Sequence, residues 1–243
     1  MKINKYYLLL KYWWETIDLT KYEKSIFNRE IISFNQQLFR LKDKKIRIGA
    51  YGKSGVGKSS VLNSLLKKEI FKTDIINGST KEIKAEELTL KDQTLKSIEL
   101  LDSPGFDFCN IKFTDKIYSR INHSDLILFV VAGDINRNEV SKISSFIKDG
   151  KKIIILLNKI DLLKENELKE IIENIKFKLP KDLNIPIIIN HENNLKNYIT
   201  KTINQYGEIL LILNSLQLAD KLFLRIKEQR LKRRQKLAQS TIG

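Results

Sequence analysis

The apolar positions of this chain change their period twice, and the changes divide it into three regions. In the first, Phe27, Ile31, Phe34, Leu38 and Leu41 recur at intervals of four and three. That spacing places them on one helical face and predicts a helical arm, residues 1–43, whose stripe makes core contacts. From residue 44 the pattern becomes strand-like. Lys45–Tyr51 (KIRIGAY) reads as a strand and Lys58–Lys68 as the helix after it. Glu86–Leu90 and Leu95–Leu101 read as strands across a polar turn at Asp92. Leu126–Ala132 and Ile153–Leu157 are unbroken apolar runs, suited to parallel strands covered on both faces, and Ile185–Ile189 ends the series. Glu139–Asp149 and Lys164–Lys178 have helical composition between them. Strands alternating with helices predict an α/β fold for residues 44–207.

The third region, residues 208–243, opens apolar and closes basic. Ile212, Leu216, Ala219, Phe223 and Ile226 share one helical face, and Gly207 predicts a helix stop before them. Between Lys221 and Lys236 stand eight basic residues and one acid, Glu228. A solvated helix end docked on the central domain is one reading, with cations suiting a helix C-terminus. A basic segment lying against an anionic membrane is the other.

Composition narrows this picture. At 243 residues, one domain with extensions fits better than two full domains. Lys and Arg total 44 against 29 Asp and Glu, a formal charge of +15. Such a surplus favours an anionic partner, nucleic acid or acidic lipid, although part of it serves solubility alone. The single cysteine, Cys109, can form no internal disulfide, which points to a reducing, cytoplasmic setting. Two His and one Cys argue against a structural zinc site. The start, MKINKYYLLLKYWW, has the outline of a signal peptide. Lys11 interrupts its apolar run and no small-residue cleavage site follows, so it is assigned to the arm. Nowhere do about 18 apolar residues run uninterrupted, so no bilayer-spanning helix is expected.

The chemistry is concentrated in four short segments. Gly52-Lys53-Ser54-Gly55-Val56-Gly57-Lys58-Ser59 has the form GxxxxGK[ST], directly after a strand and before a helix. Its glycines let the backbone turn tightly so that successive N–H groups face a phosphate, and the following helix, Lys58–Lys68 with Ser60 in its first turn, adds its positive end. Lys58 can reach the β and γ phosphates, and the Ser59 hydroxyl can ligate Mg2+. Asn158-Lys159-Ile160-Asp161 follows the strand Ile153–Leu157. The Asp161 carboxylate can accept two hydrogen bonds from guanine N1–H and its exocyclic amine, a donor pair adenine lacks. The Lys159 stem can lie along the base, and Asn158 can tie this loop to the phosphate loop. Asp102-Ser103-Pro104-Gly105 closes the strand before it with the form DxxG. Asp102 can hold Mg2+ through a water, and the Gly105 amide can meet the γ-phosphate, so loss of that phosphate would release the segment that follows. In the polar stretch at Ser79-Thr80, Thr80 is the candidate second hydroxyl on Mg2+, with Thr73 as its rival.

With these motifs in order, residues 45–206 resemble the translation-factor-related P-loop GTPases, specifically the Era and TrmE-like branch. The resemblance implies a G domain with a mostly parallel six-stranded sheet and helices on both faces. It assigns GTP or GDP and Mg2+ as ligands, Lys58, Thr80 and Gly105 as the catalytic groups, and Ser59, Thr80 and Asp102 as the metal site. Nucleotide binding falls to Gly52, Lys53, Ser54, Gly55, Val56, Gly57, Lys58, Ser59, Ser60, Asp102, Gly105, Asn158, Lys159 and Asp161. Three departures qualify it. Phe106 stands where Ras-like proteins carry the glutamine that orients the attacking water, so turnover should be slow and the water must be held otherwise. Gly55 replaces the Asn that supports potassium-dependent catalysis in many of these proteins. Asn190-His191 replaces the Ser-Ala pair expected after the last strand, and neither side chain is given a role.

The chain is thus expected to be a Mg2+-dependent GTP-binding switch with slow hydrolysis, peripheral at the inner face of a membrane through residues 221–236. It resembles bacterial GTPases whose G domain precedes a membrane-associated C-terminal domain. The alternatives are a GTP-dependent RNA- or ribosome-associated factor, against which no KH signature or aromatic-interleaved basic strand is found, and a nucleotide-binding scaffold without turnover. Pairing of the N-terminal stripe with the C-terminal helix would resemble the bundle of dynamin-like proteins.

Overall fold

The structure is a computed structural model that describes residues 2–72, 82–90, 94–107, 111–181, 183–191 and 194–242. The chain divides into two compact units, Ile46–Leu210 and a unit made of Met1–Lys45 with Leu211–Gly243. Their elements, in chain order, are α1 (Lys2–Thr16), α2 (Lys21–Ile26), α3 (Asn28–Asp43), β1 (Lys45–Tyr51), α4 (Lys58–Leu66), β2 (Lys84–Thr89), β3 (Ser97–Asp102), α5 (Ile111–Ile121), β4 (Leu126–Val131), α6 (Arg137–Lys148), β5 (Lys152–Leu157), α7 (Glu165–Lys178), β6 (Ile187–Ile189) and α8 (Asn194–Ile242).

The central unit is built on a six-stranded sheet in the order β2-β3-β1-β4-β5-β6. β4 is buried at every position, as its continuous apolar run requires of a strand covered on both faces. It runs parallel to β1, with Ile48 opposite Leu126, and parallel to β5, with Val131 opposite Leu157. The hairpin strand β2 lies at the edge, antiparallel to β3, and its mostly exposed, charged residues protect that edge from further pairing. β6 is shorter than its apolar run. Pro186 has no N–H to give to a ladder and precedes the strand, although its carbonyl still accepts from the Ile155 N–H at 2.9 Å. Helix α6 starts cleanly because Asn136 and Glu139 form a reciprocal capping box.

In the central unit two sequence expectations need correction. The predicted helix stop at Gly207 is absent, and α8 runs through it from Asn194 to Ile242. The missing side chain serves packing instead: a Cβ at Gly207 would lie 2.6 Å from Leu95 Cδ1 and 3.2 Å from Ile203 Cγ2. Helix α5 occupies a stretch to which the sequence pattern assigns no element, although Thr114, Ile117 and Ile121 are buried at helical spacing.

In the terminal unit, Phe27, Phe34, Leu38 and Leu41 are buried, with Ile31 half-buried. Trp13 and Trp14 of α1 meet the Phe34 ring edge-on, at 5.6 and 5.3 Å. On α8, Ile212, Ala219 and Ile226 face inward with Leu211 and Leu222, but Phe223 is 45% exposed and does not share that face. Polar pairs join the helices: Gln37 Nε2 donates to Ser215 Oγ at 2.9 Å, and Arg225 pairs with Glu30. The Arg230 guanidinium donates to both Glu23 carboxylate oxygens, at 2.6 and 3.1 Å, and to the Asp18 carbonyl at 2.6 Å. Residues 231–240 are exposed throughout.

Candidate functional site

The three motifs with described coordinates meet at the ends of β1, β3 and β5. The loop after β1 is shaped by Gly57, whose φ of 89° lies in the left-handed region that side chains avoid. A Cβ there would also strike Asn158 Nδ2 at 2.3 Å. Lys58 opens α4 and is buried, with its Nζ donating to the Lys53 carbonyl at 2.6 Å. Burial pushes its amine down to about 8, partly offset by the negative charges of Asp102 and Asp107. Lys53 is braced from outside, its Nζ 2.9 Å from the buried Glu139 carboxylate that also caps α6.

Ser59 Oγ donates to Asp102 Oδ2 at 2.6 Å, bringing the loop's hydroxyl to the carboxylate that ends β3. A hydroxyl and a carboxylate oxygen side by side are hard donors of the kind Mg2+ takes, with water completing an octahedron. The donor set therefore fits that ion. Ser60 is exposed in the first turn of α4, where amides have no partner within the helix.

Ser103 Oγ donates to the Ala50 carbonyl at 2.7 Å and anchors the DSPG segment to β1. That segment rests directly on the phosphate loop: a Cβ on Gly105 would lie 2.3 Å from Ser54 N and 2.6 Å from Ser54 Cα. Phe106 turns inward, 4% exposed, and its ring stacks on Tyr51 at 5.3 Å with 16° between planes. Asp107 turns the other way, accepting from the Ser54 N–H at 2.6 Å.

Asn158 joins three segments. Its Nδ2 donates to the Val56 carbonyl of the phosphate loop at 2.8 Å, and its Oδ1 accepts from Asn190 Nδ2 at 2.8 Å. Lys159 is exposed with φ at 57°, and Asp161 is exposed in the 3-10 turn Ile160–Leu162 that follows. Both side chains are thus accessible for a planar ligand. Thr80 and its rival Thr73 lie outside the described residues.

The sequence reading gave no role to Asn190, Glu139 or Asp107, which all touch the site. Only Glu139 carried a local signal, since Asn136-x-x-Glu139 is a capping-box pattern. The other two are brought in by pairings 32 and 53 residues apart.

Residues 47–159 match the family model described as 50S ribosome-binding GTPase. GTPase Era of Borreliella afzelii is 37% identical over 94 residues, which cover 36% of this chain and 32% of that protein. GTPase Era of Borrelia garinii subsp. bavariensis is 38% identical over a stretch of the same length. Residues 47–159 are therefore similar to the G domain of Era-like P-loop GTPases. Solved structures agree on the fold: an Era variant of Aquifex aeolicus bound to GDP and AlF4− superposes with a TM-score of 0.57 at 23% identity, covering 67% of this chain and 56% of that one. Era in complex with MgGDPNP and a 16S ribosomal RNA fragment gives the same score and coverage. The chain spans about a third of the length of the curated relatives it matches.

Proposed function

We propose that the G domain binds GTP with Mg2+, hydrolyses it slowly and acts as a molecular switch. The observation that carries this reading is the Asn158 side chain, which joins the phosphate loop, the NKID loop and the end of β6 at 2.8 Å contacts. It fixes the base-reading segment at a set position relative to the phosphate-binding amides. In this reading the amides of Gly52 to Ser60 and the Lys58 ammonium hold the phosphates. Ser59, Asp102 and Thr80 hold Mg2+, which when bound draws charge off the β and γ phosphates. Asp161 accepts from the guanine edge, Lys159 lies along the base, and the Gly105 amide meets the γ-phosphate. Lys58, Thr80 and Gly105 together stabilise the transferring group. Phe106, packed into the core, holds no water, and slow turnover follows. Calorimetry with Mg2+ tests the reading: GTP should bind far more tightly than ATP, and phosphate release over hours should exceed that of Lys58→Ala. Equal affinity for the two nucleotides would sink it.

For the partner, we favour an anionic membrane surface met peripherally from the cytoplasmic side through residues 221–236. Among the described residues no helix is long and apolar enough to cross a membrane. Leu224 and Leu231 are 46 and 47% exposed among the cations of this segment, and Leu237 directly after it is 59% exposed. On α1, Leu8, Leu9 and Tyr12 are 62, 54 and 69% exposed, with Lys5 and Lys11 beside them. Apolar side chains interleaved with cations suit a lipid interface better than a phosphate backbone alone. The second reading, an RNA or ribosome partner, is favoured by the ribosome-binding description of the matched family and by the RNA bound to one Era neighbour. Flotation with anionic liposomes against co-sedimentation with ribosomal particles, each with a GTP analogue and with GDP, separates them.

A further inference from the structure

We infer that Asp107 is the residue that orients the attacking water in GTP hydrolysis, an inference that rests on the proposed hydrolytic function. The position directly after DSPG cannot do this work. The Phe106 ring is stacked on Tyr51 and lies 6.5 Å from Phe129, inside the aromatic core, and has no group that can hydrogen-bond a water.

Asp107 sits one residue further on and faces the phosphate loop. Its Oδ1 accepts from the N–H of Ser54, the third residue of that loop, at 2.6 Å. The contact is built by the backbone: at Gly105 the two segments approach so closely that a Cβ would lie 2.3 Å from Ser54 N and 2.8 Å from Asp107 Oδ1. The carboxylate therefore stands where the DSPG segment crosses the loop, which is the γ-phosphate end in the proposed reading. Its charge also reaches Lys58. Asp107 is solvent-exposed, so water can reach it. A carboxylate offers about four acceptor positions, and the Ser54 N–H uses one.

The other carboxylate at the site is placed for different work. Asp102 is 1% exposed and holds the Ser59 hydroxyl within the hard-oxygen donor set. Two acids with opposite exposure divide the labour, the buried one toward metal and the open one toward water.

In the reaction the water oxygen bonds to the γ-phosphorus. The bond from that phosphorus to the β–γ bridging oxygen breaks, and its electron pair leaves with GDP. One proton of the water passes to a γ-phosphoryl oxygen and the other stays on the attacking oxygen, so GTP and water give GDP and dihydrogen phosphate without a net proton from the protein. Asp107 accepts a hydrogen bond from the water and aims its lone pair in line.

The test is single-turnover hydrolysis by the full chain, paired with the affinity for a non-hydrolysable GTP analogue. Asp107→Ala should slow the chemical step by about 100-fold, the lower end for a positioned proton acceptor, while analogue affinity stays within about threefold. Asp107→Glu should recover roughly tenfold of that loss. Turnover by Asp107→Ala at the wild-type rate would overturn the assignment. So would tighter analogue binding at an unchanged rate, which would make the carboxylate only a plug on the empty loop. A parallel loss of analogue binding would assign it to loop structure and overturn it equally. Failure of the underlying reading looks different: the wild-type chain itself would release phosphate no faster than Lys58→Ala.

Discussion

In the central unit, Lys58, Asp102 and Asn158 are buried where three strands end, and their partners lie in loops or in the first turn of α4. In the terminal unit, Glu23, Gln37 and Ser215 are equally buried but lie between helices, and their partners are side chains on neighbouring helices. The two arrangements answer the same rule, that buried polar groups must be paired. They differ in what the pairing leaves over. Around the phosphate loop the bonds leave amides, a hydroxyl and two carboxylates converging on one region, so a ligand can share them. Between the helices the Arg230 guanidinium meets the Glu23 carboxylate and Gln37 meets Ser215, side chain to side chain. Burial of charge marks chemistry where the groups converge on an open loop, and bracing where they neutralise each other.

Four substitutions test that distinction, taken from the largest expected effect to the smallest. Asp161→Asn removes the proposed acceptor for guanine's two donors and should cost roughly 3 kcal/mol of GTP affinity, about 100-fold, with xanthine nucleotides gaining. A titration showing GTP affinity unchanged would remove Asp161 from the site. Gly105→Ala puts a methyl group into the Ser54 backbone, 2.3 Å from its nitrogen, where neither segment can give way cheaply. Denaturant unfolding should report a loss of roughly 2 kcal/mol, with nucleotide affinity falling in step. An alanine variant with native stability would mean the two loops do not touch in solution.

Arg230→Ala probes the pairing between helices and should leave nucleotide binding unaltered. Glu23 is held down to about 2 from 4.5, chiefly by the Arg230 hydrogen bond acting against its burial. Because the folded pKa is the lower one, this stabilisation is fully present above about pH 4.5 and disappears as the pH falls from 4.5 toward 2. Circular dichroism should show a loss of about 1–3 kcal/mol across that acid window in the wild-type chain, and a flatter profile in Arg230→Ala. The variant should also be less stable at neutral pH by about 2 kcal/mol, since it strands a buried carboxylate. The smallest effect belongs to Asn190→Ala. It deletes one hydrogen bond to Asn158 and should weaken GTP binding by about 1 kcal/mol, roughly fivefold, with little change in turnover of the bound nucleotide. A larger drop in turnover than in affinity would argue against a positioning role through Asn158.

The legible part of this protein was its local physics. Unbroken runs such as Leu126–Val131 and Ile153–Leu157 can satisfy themselves only in a covered parallel sheet, and they do so within a residue of the expected bounds. The loops were legible because phosphate binding needs glycines, an amine and a hydroxyl at fixed spacing along one stretch of chain. Gly207 shows where such reasoning ends. A glycine after an amphipathic helix reads as a stop when only neighbours in sequence are considered, yet Leu95 and Ile203 crowd it and make it a packing site in a continuing helix.

What the sequence determined alone was the order of the strands and the motif spacing, because both depend on interactions within a few residues. What only the tertiary structure decided was direction and partnership: Phe106 inward and Asp107 outward, Asn190 onto Asn158, Arg230 onto Glu23 across 207 residues. Those choices are set by which surfaces meet when the chain packs, and packing at that range leaves no period in the sequence to read.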